Sequence, residues 1–232
     1  MVATEWRGNV KPKRGDMGIE YALSAFVILL VTIDPIGLLP IFLSLTHGFT
    51  LAQKRRVASV AVLVSFAVLL FFAIAGEAFL RLLGIGIPAL QIAGGLLLFW
   101  IAFEMVFGQR TDRKQDAANL SVEEDPAHVA VAPLAIPLIA GPGAITASIL
   151  LSSRLDGAVT GVAIIALLQA GVLAITFVVF LAAGQLSRFL GRTGVIVMTR
   201  LLGIVLAALA VQTVIGGFAA LGITPPAGAG RV

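Results

Sequence analysis

The sequence predicts an all-α polytopic membrane protein with six transmembrane helices. We expect them to form two inverted three-helix repeats, with helices 1 and 4 broken at mid-membrane. Hydrophobic residues make up 59% of the 232 residues and charged residues only 12%, against roughly 25% charged residues in a soluble domain. The mean hydropathy is +1.06. Long apolar stretches follow one another, and two of them carry prolines and glycines at corresponding places in the two halves of the chain.

Six apolar stretches are long enough to cross a bilayer, because a transmembrane helix needs about 20 apolar residues. They are residues 20–46, 57–80, 85–107, 130–153, 158–186 and 194–221. The first is too long for the apolar core of a cleavable signal peptide, which has about 7–15 residues. Too little polar sequence remains for a soluble domain. We therefore expect a multi-pass protein of the cell (inner) membrane, with the lipid bilayer as its surroundings.

The polar segments divide the chain into five parts. We expect a basic N-terminal tail, a first three-span repeat, a polar linker, a second three-span repeat and a C-terminal tail, at residues 1–19, 20–107, 108–129, 130–222 and 223–232. The linker is rich in Asp, Glu, Gln and Asn, a composition that cannot bury enough apolar surface to fold alone. It is expected to be a solvated connector, and a regulatory or partner-binding role is the alternative.

Two of the six stretches are interrupted near their centres. The first carries DPIGLLP at 34–40 and the fourth carries PLAIPLIAGPGAIT at 133–146. Proline lacks an amide donor, and glycine costs about 1 kcal/mol in a helix relative to alanine. In hydrocarbon an unsatisfied backbone group costs several kcal/mol, so a broken helix persists there only where protein or a wet cavity covers it. Paired interruptions of this kind point to the binding site of a transporter.

The interruptions predict a particular chemistry. A helix that restarts after each break presents a positive end of about half a unit charge, which suits a carboxylate. The missing side chains of Gly37, Gly141 and Gly143 would let a small ligand approach the backbone. Together the two breaks could hold a small zwitterion, with freed carbonyls facing its ammonium group. The alternative is a pair of proline kinks filled by neighbouring helices.

Asp34 is the one acidic residue that the pattern places deep in the apolar core. An ionisable group at that depth costs at least about 2.5–3.5 kcal/mol and marks an ion or proton pathway by default. Three roles are open: pairing with a substrate ammonium, binding a driving proton, or capping the restarted helix near Gly37. Glu77 and Glu104 are expected near span ends, where a carboxylate reaches water. The polar side chains expected inside the bundle are Gln91, Thr146, Ser148, Gln169 and Gln212.

The two halves resemble each other at a shift of about 108 residues. This shift lays Gly95 on Gly203 and Ala102 on Ala210. Each half would hold three spans, an odd number, so the second half would be inserted upside down relative to the first. That is the inverted-repeat architecture of many secondary transporters.

The basic residues are distributed as flanks of membrane spans. They stand singly or in short clusters at span ends, so the net charge of +4 does not indicate nucleic-acid binding. They divide almost evenly between the two sides, and only a weak preference places the loops 47–56, 108–129 and 187–193 in the cytoplasm. The chain has no cysteine, and His47 and His128 lack companion ligands, so no metal site is expected. No nucleophile–base pair or HExxH motif occurs in the spans, and we expect no enzymatic activity.

Four stretches resemble the characteristic stretches of the MarC family, a group of bacterial and archaeal six-span integral membrane proteins. They are DPIGLLPIFLSLT at 34–46, ALQIAGGLLLFWIAFEMVFG at 89–108, PLAIPLIAGPGAIT at 133–146 and RLLGIVLAALAVQTVIGG at 200–217. The resemblance covers nearly everything between residues 20 and 222. One departure is Leu38, which stands where many members of the family have asparagine.

The resemblance implies a family grouped with neutral amino acid transporters and linked to export of glycine, alanine and similar substrates. It implies that substrate lies between two segments, Asp34, Pro35, Ile36 and Gly37 in the first half and Gly141, Pro142, Gly143, Ala144, Ile145 and Thr146 in the second. The expected function is a secondary transporter of small neutral amino acids that works by alternating access. No cofactor is expected, and H⁺ and Na⁺ are both left open as coupling ions.

A different class of function is not excluded by the sequence. Helix breaks alone do not prove flux, so a non-transporting membrane scaffold or assembly protein is the alternative. The oligomeric state is left open, a homo-oligomer included.

Overall fold

A computed structural model of the chain describes residues 19–108, 125–153 and 159–223, and all the regular elements in these ranges are helices. They are α1 Ile19–Ile33, α2 Leu39–Leu45, α3 Leu51–Leu82, α4 Ile87–Phe107, α5 Pro126–Val129, α6 Ala130–Ile139, α7 Pro142–Ser153, α8 Val159–Leu181 and α9 Ala183–Ala220. The expected N-terminal tail, most of the polar linker and most of the C-terminal tail lie outside the described residues.

Four of the described helices are long and apolar enough to cross a membrane. They are α3, α4, the part of α8 from Gly161 to Leu181 and the part of α9 from Thr193 to Ala220. Residues Pro126–Ile139 and Pro142–Ser153 form a pair bent by 60°, which makes a fifth span if the pair is counted as one. The first predicted span is divided between α1 and α2, and the apolar part of α1, Tyr21–Ile33, is too short to cross alone. The protein is therefore a helical multi-pass structure with two interrupted segments.

Local sequence explains where several helices begin and end. The Thr50 hydroxyl accepts a hydrogen bond from the Gln53 amide, while the Gln53 side chain accepts one from the Thr50 amide, which is a capping box at the start of α3. Pro88 lies in the first turn of α4, and Gly108 ends that helix in the left-handed conformation with φ 83°. The Asp125 side chain caps α5 by accepting the Ala127 amide.

The boundaries differ from the sequence prediction at two places. Helical structure before the second break begins at Pro126, inside the expected linker, and Val129 is already buried. The fifth span ends at Leu181, and the segment 187–193, expected to be a loop, belongs to α9 apart from an interruption at Gly191 with φ 62°. Apolar length alone does not show where a helix leaves the membrane and continues outside it.

The first interrupted segment lies in the centre of the protein. In each of the four long helices, only about a third of the residues in the most apolar part are buried, from 28% to 33%. Between residues 31 and 39, by contrast, every residue but Ile36 is buried. The flanking helices α1 and α2 pack against helices from the set α7, α8 and α9. The outer faces of the long helices, by contrast, carry exposed leucines and phenylalanines. The first break is thus covered by protein, as a hydrocarbon environment requires, whereas Ile136, Pro137 and Pro142 at the second break are exposed.

Helices α4 and α9 pack closely through glycines. A Cβ atom built at Gly95 would lie 3.0 Å from the carbonyl oxygen of Ala210, and one built at Gly203 would lie 3.1 Å from the carbonyl oxygen of Ala102. Small residues permit this approach of two backbones in a membrane protein. Shifting the sequence by 108 residues turns each contact into the other, because Gly95 then falls on Gly203 and Ala102 falls on Ala210.

Gly203→Ala is expected to lower the free energy of unfolding by about 1–3 kcal/mol, the usual cost of overpacking. The added Cβ would lie 2.8 Å from the Cβ of Met105, so α4 and α9 must move apart. Gly216→Ala in the same helix is the matched control, because a Cβ there meets no atom within 4 Å. Thermal unfolding of the purified protein in detergent measures the difference, and equal stability of the two variants would contradict the packing described here.

Candidate functional site

The first break is organised by Asp34. Helix α1 ends at Ile33, and Asp34 takes the left-handed conformation with φ 56°, which aspartate tolerates better than most residues. The Gly37 amide donates to Asp34 Oδ1 at 3.0 Å, and the Leu38 amide donates to the Asp34 carbonyl oxygen at 3.1 Å. Asp34 is only 1% exposed. Its carboxylate therefore satisfies backbone that the break would otherwise leave open, which is the capping role among the three that the sequence suggested.

Gly37 is required by this turn. A Cβ atom at residue 37 would lie 2.7 Å from Asp34 Cγ and 2.9 Å from Asp34 Oδ1, so the carboxylate occupies the space that a side chain would need. Pro35 is buried, Ile36 is partly buried, and Pro40 lies in the first turn of α2, where its missing amide costs nothing.

The second break follows a segment of irregular helix. Helix α6 has π-type turns, in which the Ala140 amide donates to the Ala135 carbonyl oxygen five residues earlier at 2.8 Å. Ala132 and Ile136 are extended rather than helical, and each precedes a proline, Pro133 and Pro137, through a cis peptide bond.

Helix α7 restarts at Pro142, directly after this break. The Gly141 carbonyl oxygen accepts the Ile145 amide at 3.0 Å, and a Cβ at Gly141 would lie 2.7 Å from the Pro137 carbonyl oxygen. Ala144 is buried, and Ile145 is partly buried.

The two breaks meet in the centre of the protein. A Cβ atom at Gly143, in the first turn of α7, would lie 3.1 Å from the γ-methyl group of Thr32, in the last turn of α1, and would also overlap Ile101 of α4. Thr32 precedes Asp34 by two residues, and its hydroxyl donates to the Ile28 carbonyl oxygen at 2.6 Å. The structure thus brings together the two segments in which all ten predicted site residues lie.

The meeting point is closed in this conformation. The spaces left by the missing side chains of Gly37, Gly141 and Gly143 are filled by the Asp34 carboxylate, the Pro137 carbonyl, and Thr32 with Ile101. Neither of two cavities of about 280 and 410 Å³ in the described part of the chain is lined by a predicted site residue. Bare backbone facing a ligand is therefore not present in this arrangement, and the binding role of the ten residues stays a prediction.

A buried polar cluster extends the region along α7. The Ser148 hydroxyl donates to the Ala144 carbonyl oxygen at 2.7 Å, and Gln169 Nε2 of α8 donates to the Ser148 hydroxyl at 3.0 Å. Gln169 is fully buried, and its Oε1 has no hydrogen-bond partner among the described residues. The γ-methyl of Thr146, two residues before Ser148, lies 2.7 Å from where a Cβ at Gly94 would stand. The sequence placed Ser148 and Gln169 in the bundle but could not show that they bond to each other.

Two expectations about polar side chains are corrected. Glu104 is only 5% exposed and accepts a hydrogen bond from Trp100 Nε1 at 2.8 Å, so it is not a water-facing group and Asp34 is not the single buried carboxylate. Gln212 is exposed rather than inside the bundle. Glu77 does lie near a helix end, where it pairs with Arg81. Position along a helix was predictable, but the face that each side chain occupies depends on how the helices pack.

Comparison with known proteins places these features in a family. The profile described as MarC family integral membrane protein matches residues 19–221. The UPF0056 membrane protein MJ1677 of Methanocaldococcus jannaschii is 36% identical over 205 residues, which cover 87% of this chain and 97% of the relative. The UPF0056 membrane protein YvbG of Bacillus subtilis is 35% identical over 204 residues, 87% of this chain and 95% of the relative. No solved structure matches the chain.

Asp34→Ala is expected to lower the free energy of unfolding by about 0.5–2 kcal/mol, the usual cost of removing a capping side chain. Asp34→Asn should cost less, because asparagine keeps an oxygen acceptor for the Gly37 amide and tolerates positive φ. Thermal unfolding in detergent measures both.

A double-mutant cycle with Gly37→Ala is the control. The added Cβ displaces the Asp34 carboxylate, so the two substitutions remove one interaction and their effects should be less than additive. Full additivity would show that the carboxylate does not hold the turn.

Proposed function

Because the chain belongs to the MarC family of integral membrane proteins, we propose that it is a secondary transporter of small neutral amino acids, such as glycine or alanine, in the cell membrane. Substrate binds between the two broken helices, and transport follows alternating access. The proposal includes no enzymatic step and no cofactor, and the energy comes from a gradient of H⁺ or Na⁺.

The observation that carries this proposal is the contact between the two breaks. Thr32 at the end of the first interrupted helix packs on Gly143 at the start of the second, with the buried Asp34 beside them. Secondary transporters bind their substrates where interrupted helices from two halves of the chain face each other. If the two breaks were unrelated proline kinks, we would not expect them to lie next to each other.

Six spans in two inverted repeats are supported by the packing of α4 on α9. Gly95 contacts Ala210 and Gly203 contacts Ala102, and each contact becomes the other when the halves are exchanged. Such reciprocal contacts are the rule at an interface between two copies related by a twofold axis. In this proposal, α1 with α2 and α6 with α7 are the first spans of the two halves.

A mid-membrane position of the second break is supported by α3. Between Arg56 and Glu77 this helix carries no charged residue over about 32 Å, at 1.5 Å per residue, which matches the roughly 30 Å of a hydrocarbon core. Ser65 lies near the middle of that stretch, and its hydroxyl is 3.5 Å from the Ala135 carbonyl oxygen of α6. Helix α6 before the break is therefore level with the centre of the apolar part of α3.

Substrate recognition in this proposal uses charges of opposite sign. The amides in the first turn of α7 lie at a positive helix end and receive the substrate carboxylate. Asp34 receives the ammonium group when its carboxylate releases the Gly37 amide. Since the glycine spaces are filled in the present arrangement, binding requires α1 and α7 to separate at Thr32 and Gly143, and this separation opens the site.

Transport is tested with purified protein in liposomes that contain labelled glycine or alanine, with and without an imposed proton or sodium gradient. Asp34→Asn is expected to lower the rate about tenfold or more, because hydrogen bonds to charged groups contribute about 1.5–3 kcal/mol. Asp125→Asn is the matched control, because that carboxylate caps α5 at a distance along the chain from both breaks. Both variants must remain monodisperse in detergent.

The result distinguishes the two classes of function. Unchanged transport by Asp34→Asn would remove Asp34 from the mechanism. Absence of flux for the native protein under every gradient would favour the alternative of a non-transporting membrane scaffold or assembly protein, which inserts and folds normally but moves no solute.

A further inference from the structure

A basic cavity of about 410 Å³ lies at the end of the protein where α3 begins and α8 ends. Its cationic lining consists of Lys54 and Arg55 from the first turn of α3 and Arg188 from α9, and Gln185 adds an amide. Helix α2 also contributes to the lining. Two of the loops expected on the cytoplasmic side, 47–56 and 187–193, contain these three cations.

The three cations lack a protein counter-charge in the described part of the chain. Among the described residues, the salt bridge that forms is between Glu77 and Arg81, and it lies at the other end of α3. Lys54, Arg55 and Arg188 form no salt bridge or side-chain hydrogen bond with another described residue. Three like charges around one cavity repel each other, and an anion in the cavity would relieve that repulsion.

The cavity is amphipathic as well as basic. Phe42 of α2 and Phe180 of α8 belong to its lining and stack with ring centroids 4.4 Å apart and planes inclined by 3°. Leu51 and Leu181 belong to the lining too and are 78% and 45% exposed. An amphiphile with an anionic head and an apolar tail matches both parts of this lining, whereas a free inorganic anion would use only the cations.

We propose that this cavity binds the phosphate headgroup of an anionic phospholipid, with the first carbons of an acyl chain along Leu51 and Leu181. Its position fits the headgroup level, because the part of α8 that is long and apolar enough to cross a membrane ends at Leu181. Basic pockets between transmembrane helices are a recognised way of binding anionic lipid headgroups. The bound lipid joins α2, which follows the first break directly, to α3 and α9, and so stabilises the protein.

The test uses the full chain purified in detergent and titrated with phosphatidylglycerol, phosphatidylcholine or inorganic phosphate, with the rise in melting temperature as the readout of binding. Phosphatidylglycerol is expected to raise the melting temperature more than the other two. The double variant R55Q/R188Q should bind phosphatidylglycerol about 25-fold more weakly, since each basic side chain near an anionic lipid contributes about 1 kcal/mol, or about fivefold.

The matched control is R56Q/R200Q. It also removes one arginine charge from α3 and one from α9, but both of these arginines are exposed and neither lines the cavity. This variant should keep the affinity of the native protein within about twofold, because charges outside the cavity act only through a screened field.

Four outcomes would overturn the proposal. Equal shifts with phosphatidylglycerol and phosphatidylcholine would remove the anionic preference, and an equal shift with inorganic phosphate would assign the cavity to a free anion. Equal losses in the two double variants would show a diffuse charge effect. A lipid preference that appears only after E123Q/E124Q would show that acidic residues of the linker occupy the cavity instead.

Discussion

The architecture depends on the need to satisfy backbone polar groups away from water. A helix that stops inside a membrane exposes amides and carbonyls, and each one left alone in hydrocarbon costs several kcal/mol. In this protein the Asp34 carboxylate accepts the Gly37 amide at the first break, and the Ala135 carbonyl accepts the Ala140 amide at the second. The first interruption is also enclosed by longer helices. The long spans therefore present exposed apolar faces on the outside of the protein, and the backbone of the first break lies in the centre.

The same constraint explains why glycine recurs at the breaks. At each glycine in this region, another group occupies the space that a side chain would need. The group is a carboxylate at Gly37, a carbonyl at Gly141, and side chains from α1 and α4 at Gly143. Close packing compensates for the helical hydrogen bonds that the prolines remove. In the proposed function, the closed centre and the binding site are two arrangements of the same atoms, and transport would exchange one for the other.

Much of this could be read from the sequence, because the features concerned are local. Closely spaced prolines and glycines in an apolar stretch mark the two breaks, and aspartate before proline predicts a capped turn. The sequence could not show that Glu104 is buried beside Trp100, that Gln212 faces outward, or that Gln169 bonds to Ser148. These outcomes depend on the rotation of each helix about its axis, which side-chain packing decides. The sequence shows Lys54, Arg55 and Arg188 as basic residues beside the spans, but only the fold shows that they line one cavity.

Helix α3 has a mechanical consequence for the whole protein. It is a single helix of 32 residues, its first turn lines the basic cavity, and Glu77 and Arg81 near its other end line the smaller cavity. Ser65 contacts α6 about midway between those ends. If α3 tilts as a rigid rod about this contact, its two ends move in opposite directions, and the walls of both cavities move with them.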